Sequence, residues 1–189
     1  MNEKKFKASD LIGIKDPSQI LHYVRKWSSA LTEEEHIIKS VTQEIHQNLE
    51  IKLDRILHEL LTYLTPKGTT DADIDEAKEE IWREVGNMGF EQKYRLLKPI
   101  LKKWSQVRPE VIEINNINVI RRQCTHLKEK DNIQYKGHKI FGDPEGIAML
   151  FVDAWAIGKG LDDLWEWIDD QRARLEKRMS LPTEGKDSS

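Results

Sequence analysis

The sequence predicts an all-α fold, and three observations carry that prediction. Apolar residues recur at three- and four-residue steps through long stretches, which lines them up on one face of a helix of about 3.6 residues per turn. Helix-start signatures precede those stretches, and Pro and Gly punctuate them. Charged residues make up 33% and hydrophobic ones 38% of the 189 residues, and the charges are spread along the chain as amphipathic helices require.

Residues 1–15 show no pattern and read as a partly ordered lead-in, so a single helical domain is placed over 16–179. Asp16-Pro17 opens the first helix, with Asp as N-cap, Pro at the first helical position and Gln19 in reach to close a capping box. Ile20, Leu21, Val24 and Trp27 form its stripe. Thr32-Glu33-Glu34-Glu35 repeats the signature and starts the longest helix, in which Ile38, Val41, Ile45, Leu49, Leu53, Ile56, Leu60 and Leu64 recur until Pro66-Lys67-Gly68. At about 1.5 Å per residue this second helix is roughly 45 Å long, a spine for the others.

A shorter helix is predicted from about Ala72 to Val85, ended by Gly86-Asn87-Met88-Gly89. Phe90, Tyr94, Leu97, Ile100, Leu101 and Trp104 make the next apolar face, and Pro99 is expected to kink it or to mark its last turns. Pro109 starts a helix with Val111, Ile112, Ile114, Ile117, Val119 and Ile120 so dense that most of it is expected to be buried. Ile133-Gln134-Tyr135 and His138-Lys139-Ile140 alternate around Lys136-Gly137, a small hairpin or an extended loop. Asp143-Pro144-Glu145 opens the last helix, where Gly158 and Gly160 suit close packing or a bend. Residues 180–189 lack apolar mass and are expected to be a disordered tail.

Composition bounds the function. A net charge of -3 and a pI near 6.1 give no bulk attraction to nucleic acid, so any such binding needs a local patch. The single Cys124 forms no intrachain disulfide and builds no cysteine-based zinc site, which points to a reducing, cytoplasmic setting. No run of about 18 apolar residues exists, and Met1-Asn2-Glu3-Lys4-Lys5 lacks a signal-peptide core, so neither membrane insertion nor export is expected.

Chemistry concentrates at Arg121-Arg122-Gln123-Cys124-Thr125-His126, followed by the charged Leu127-Lys128-Glu129-Lys130-Asp131. A guanidinium holds phosphate oxygens bidentately, and histidine moves protons near neutrality, so the pairing suits a phosphodiester. Helix capping and dipole compensation are the plain alternative for cations at a helix C-terminus. Elsewhere no His has another His three or four residues on, so no metal site and no cofactor is expected. His138 reads as a turn residue with the option of approaching His126, and Cys124 as a small core residue rather than a nucleophile. The six tryptophans fall mostly on helical apolar faces and read as packing or interface residues.

From Gly89 onward the chain resembles the HEPN family of prokaryotic nucleases, toxins and defence proteins. The features that carry the resemblance stand in order: Gly89-Phe90-Glu91-Gln92-Lys93-Tyr94-Arg95-Leu96-Leu97, then Ile114-Asn115-Asn116-Ile117-Asn118-Val119-Ile120-Arg121, then His126, then Tyr135-Lys136-Gly137-His138-Lys139-Ile140-Phe141 and a final apolar helix. The family's motif is an Arg, a polar residue that is commonly Asn, a few further positions and a His. Arg121, four intervening residues and His126 match it, while Arg122 departs from the Asn.

The resemblance implies a HEPN-like bundle and metal-independent RNA cleavage at a site shared across a two-fold homodimer. It implies His126 as the proton-transfer group and Arg121 as the group that stabilises phosphoryl charge, with Arg122, Lys128 and His138 as substrate contacts. RNA is then the substrate, through attack of its 2′-hydroxyl, and an antitoxin or other protein is a possible partner in a toxin or phage-defence setting. Two other readings stay open: a non-catalytic module that binds RNA or protein, and a structural subunit with Trp155, Trp165 and Trp167 at an interface.

Overall fold

The computed structural model describes residues 35–63, 71–126 and 130–180. The lead-in, the helix predicted from Asp16, Lys128 and residues 181–189 lie outside them. Among the described residues the fold is all-α. Five helices, α1 (Glu35–Tyr63), α2 (Asp71–Asn87), α3 (Phe90–Trp104), α4 (Ile114–His126) and α5 (Pro144–Ser180), stand with one hairpin of β1 (Gln134–Tyr135) and β2 (His138–Lys139).

The long helix is the spine: α1 packs against each of the other four. Its stripe of Ile38, Val41, Ile45, Leu49, Leu53 and Ile56 is buried, and it joins Leu97 and Leu101 of α3, Ile114, Ile117 and Cys124 of α4, and Ile147 through Ile168 of α5 in one core. Each such Leu or Ile contributes about 1.5–3 kcal/mol by leaving water. Lys52 pairs with Asp162 and Glu59 with Arg172. Later residues of α1 therefore meet later residues of α5, and these two helices run in the same direction.

Pro99 falls five residues before the end of α3 at Trp104, on the exposed side, where water can satisfy the carbonyl left without a proline N–H. One predicted feature comes out differently. The helix predicted from Pro109 is two elements, a 3₁₀ segment Pro109–Glu113 and then α4. Val111, Ile114, Ile117 and Ile120 of the apolar run are buried, while Ile112 and Val119, seven residues apart and so on one face, are exposed.

The hairpin fixes the route from α4 to α5. Its antiparallel pair, Tyr135 against His138, closes over a two-residue turn with Lys136 at φ 50 and Gly137 at φ 86, the left-handed pair that matches strand twist. Tyr135 donates its hydroxyl to Asp153 Oδ2 at 2.7 Å, and Lys136 pairs with the same carboxylate. Gly146 admits the hairpin, since a Cβ there would stand 2.1 Å from the Lys139 carbonyl oxygen. Gly160 likewise lets α5 close on the 3₁₀ segment, where a Cβ would meet Val111 at 2.6 Å. No helix of the described residues is long and apolar enough to cross a membrane.

Candidate functional site

Helix α4 divides its cations between two environments. Asn118 and Cys124 are buried and Arg121 is half-buried, whereas Arg122 and His126 are exposed. Five residues of helix turn Arg121 and His126 about 140° apart around the axis. Arg122 and His126, four apart, share the outer face with the exposed Val119. Among the described residues no hydrogen bond or ion pair joins Arg121 to His126.

Beneath Arg121 lies a polar seam between α1, α3 and α4. His46, 3% exposed, meets Asn118 through Nε2 and Oδ1 at 3.1 Å, and its ring lies 4.6 Å from the Phe90 ring. Its Nδ1 faces Glu50 Oε2 at 3.7 Å. Burial holds the imidazole below its usual pKa, the Arg121 guanidinium adds to that, and Glu50 and Asn118 oppose it. His46 is therefore neutral near pH 7, with Nε2–H donating to the Asn118 carbonyl oxygen.

Lys93, also 3% exposed, reaches Glu50 Oε1 at 3.0 Å and Asp54 Oδ1 at 2.7 Å. Burial pulls its pKa down, but the bonds to Asp54 and Glu50 outweigh that and leave it raised. Both seam carboxylates thus spend their charge on Lys93. The Arg121 Nε is buried without a hydrogen-bond partner, and no carboxylate of the described residues pairs with this guanidinium.

The remaining candidates sort plainly. His138 is tied through Nδ1 to Asp143 Oδ2 at 3.2 Å, and Asp143 Oδ1 also accepts the Glu145 N–H at 2.9 Å, so His138 braces the first turn of α5. Nothing joins it to His126. Lys128 lies outside the described residues. Burial pushes the Cys124 thiol up to about 11 against a hydrogen bond with Thr42, which leaves it protonated and unreactive. Among the described residues no group of three or more His, Cys, Asp or Glu side chains is placed to hold a metal ion. A half-open groove of about 260 Å³ between α1 and α5, walled by Ile45, Leu49, Phe151 and Trp155, includes none of these candidates. Of the tryptophans, Trp104 donates Nε1–H to the Gly160 carbonyl and tilts against Trp167, while Trp82 stacks on His58.

Sequence reasoning passed over the seam. One signal was there: Lys93 falls three residues after Phe90 and four before Leu97, inside the buried register of α3, where a lysine needs buried counter-charges. His46, Glu50 and Asp54 recur at four-residue steps beside the core stripe of α1, each directly after a buried residue. The chain matches no family model, no curated protein and no solved structure. Its chemistry rests on its own side chains.

Proposed function

We propose that the C-terminal half of α4 serves a metal-independent, HEPN-like endoribonuclease that works as a cytoplasmic homodimer of toxin or phage-defence type. The observation that carries this reading is Arg121, which pairs with no carboxylate of the described residues and lies half-buried on the helix that also presents Arg122 and His126 to solvent. A guanidinium with no counter-ion among the described residues, on a helix that carries two further cationic or titratable groups, favours a phosphate oxygen. His126 would accept the proton of a ribose 2′-hydroxyl or protonate the leaving 5′-oxygen, and Arg121 would stabilise the charge that builds on the phosphoryl oxygens.

The two-fold arrangement answers a geometric need. About 140° of helix rotation makes one chain's Arg121 and His126 poor partners for one phosphate, whereas a second copy can bring its own His126 across. Val119, apolar and exposed on the face of Arg122 and His126, suits such a contact. Cleavage of mixed RNAs in EDTA by wild type, abolished in both His126→Ala and Arg121→Ala, is the expected result. Wild type inert towards RNA, or cleavage unchanged by His126→Ala, would sink the reading.

The same rotation, with Arg122 in place of the family's Asn, favours one alternative: a module that binds RNA without cutting it. That protein would lose RNA affinity on Arg121→Ala and in high salt while its RNA stayed intact.

A further inference from the structure

Nucleic-acid binding by a chain of net charge -3 needs a local excess of positive charge, and one such excess lies outside α4. Between Glu91 and Glu110 the sequence holds Lys93, Arg95, Lys98, Lys102, Lys103 and Arg108 and no acid. We propose that the outer face of α3 is a nucleic-acid surface of its own, where Arg95, Lys98, Lys102 and Lys103 take the phosphate backbone of single-stranded RNA. This holds whether or not α4 cuts RNA.

Apolar and cationic residues occupy opposite faces of α3. Phe90, Leu97 and Leu101 are buried, and Lys93 turns inward with them to Glu50 and Asp54. At about 100° per residue, Arg95, Lys98 and Lys102 fall within about 60° of one another on the other face, with Lys103 about 80° from Arg95. All four are exposed. At about 1.5 Å per residue the row from Arg95 to Lys103 is roughly 12 Å long, the length of about three phosphates of one stacked strand at about 3.4 Å each.

The charge of this row is uncommitted. Arg95 faces Glu91 Oε1 at 3.5 Å, one turn back on the same exposed face, a pair too solvated to hold it against a phosphate. Among the described residues Lys98, Lys102 and Lys103 pair with no carboxylate. Arg108, past the helix, is taken by Asp163 and is no part of the row. Dipole relief explains Lys102 and Lys103, which lie in the last turn of α3. It does not reach Lys98 and Arg95 further back.

The make-up of the face selects the partner. A lipid surface is gripped by a helix whose apolar side is free to insert, whereas α3 has buried that side and exposes only Leu96 among its large apolar residues. Protein interfaces are depleted in lysine, and three of these four cations are lysines. A single file of charges with no reader of base identity suits a phosphate backbone.

The probe is a fluorescent single-stranded RNA of mixed sequence made throughout of 2′-O-methyl nucleotides, which lacks the attacking hydroxyl and reports affinity by anisotropy. Wild type should lose at least about twentyfold in affinity between about 50 and 200 mM salt. Arg95→Gln, Lys98→Gln, Lys102→Gln and Lys103→Gln combined should weaken binding at the lower salt by about tenfold or more. They should also make the slope of log affinity against log salt shallower by about 2, at about 0.7 for each phosphate no longer neutralised. These four side chains are exposed, so the fold should survive their loss. A control removes equal charge elsewhere: Arg55→Gln, Arg83→Gln, Lys159→Gln and Arg174→Gln, exposed on α1, α2 and α5, should together stay within about threefold of wild type.

Wild type without affinity for this RNA, an α3 variant that binds like wild type, or a control as weak as the α3 variant overturns the proposal. So does retention on phosphatidylserine vesicles that the α3 variant loses while its RNA binding is unchanged, which would make the face a membrane surface. Unmodified RNA left whole by wild type sinks the ribonuclease reading alone, because the α3 row is read by binding.

Discussion

The two sides of α1 are built on different physics. Towards α5 it offers Ile45, Leu49, Leu53 and Ile56, with the Lys52–Asp162 ion pair kept to a half-exposed rim. Towards α3 and α4 it offers His46, Glu50 and Asp54, closed over by Lys93 and Asn118. The apolar side gains from every methylene it buries and tolerates small shifts. The polar side gains little net energy, because desolvation offsets the attraction, yet its contacts tie three helices together. The difference teaches where this protein accepts cost: next to Arg121, on the element that carries the candidate chemistry.

Breaking the polar side at its centre has the largest expected effect. Lys93→Ala leaves Glu50 and Asp54 as half-buried charges without their buried cation and should lower the unfolding free energy by up to about 3–5 kcal/mol in urea titrations. On the apolar side, Leu53→Ala, at a residue with no exposed surface, should lower it by about 2–5 kcal/mol through lost transfer energy and a cavity. Neutralising the seam separates the two kinds of loss: Lys93→Met with Glu50→Gln and Asp54→Asn should recover most of the first deficit, while no charge change recovers the second.

A gentler lever is pH. Burial and Arg121 hold the folded His46 below its ordinary 6.5, so the unfolded chain binds this proton first on acidification. The contribution is complete above pH 6.5 and is lost as pH falls below it, with a slope of at most about 1.4 kcal/mol per pH unit for one proton. Urea midpoints measured from pH 8 to 5 should decline, and His46→Gln should flatten part of the decline. His58, which burial shifts the same way, adds to the decline. The smallest effect is expected at the half-exposed Arg108–Asp163 pair, where Arg108→Ala should cost no more than about 1 kcal/mol in a thermal melt.

The apolar side was legible in the sequence and the polar side was not. Steps of three and four predict the stripe from Ile38 to Ile56 because burial of aliphatic side chains has a single geometric solution on a helix. Lys136-Gly137 announced its turn in the same local way. His46, Glu50 and Asp54 could not be assigned by period, since polar residues beside a stripe face water by default and only a distant Lys93 draws them inward. Within the candidate site, Arg121 and His126 were legible as residue types. Their separation around α4 depends on which face α1 covers, and that is a tertiary fact. The 3₁₀ start at Pro109 escaped for a similar reason, because a dense apolar run carries no mark of where its winding changes.

The parallel course of α1 and α5 has an electrostatic consequence. Two long helices side by side in the same sense gather the negative ends of both backbone dipoles at one end of the bundle, where they repel. α1 has no basic residue in its last turn to relieve this. Arg172, reaching from α5 to Glu59 one turn before the end of α1 and also to Asp169, brings a positive charge across from the neighbouring helix to that end of α1, so reversing this one side chain would set a negative charge where α1 has no cation of its own.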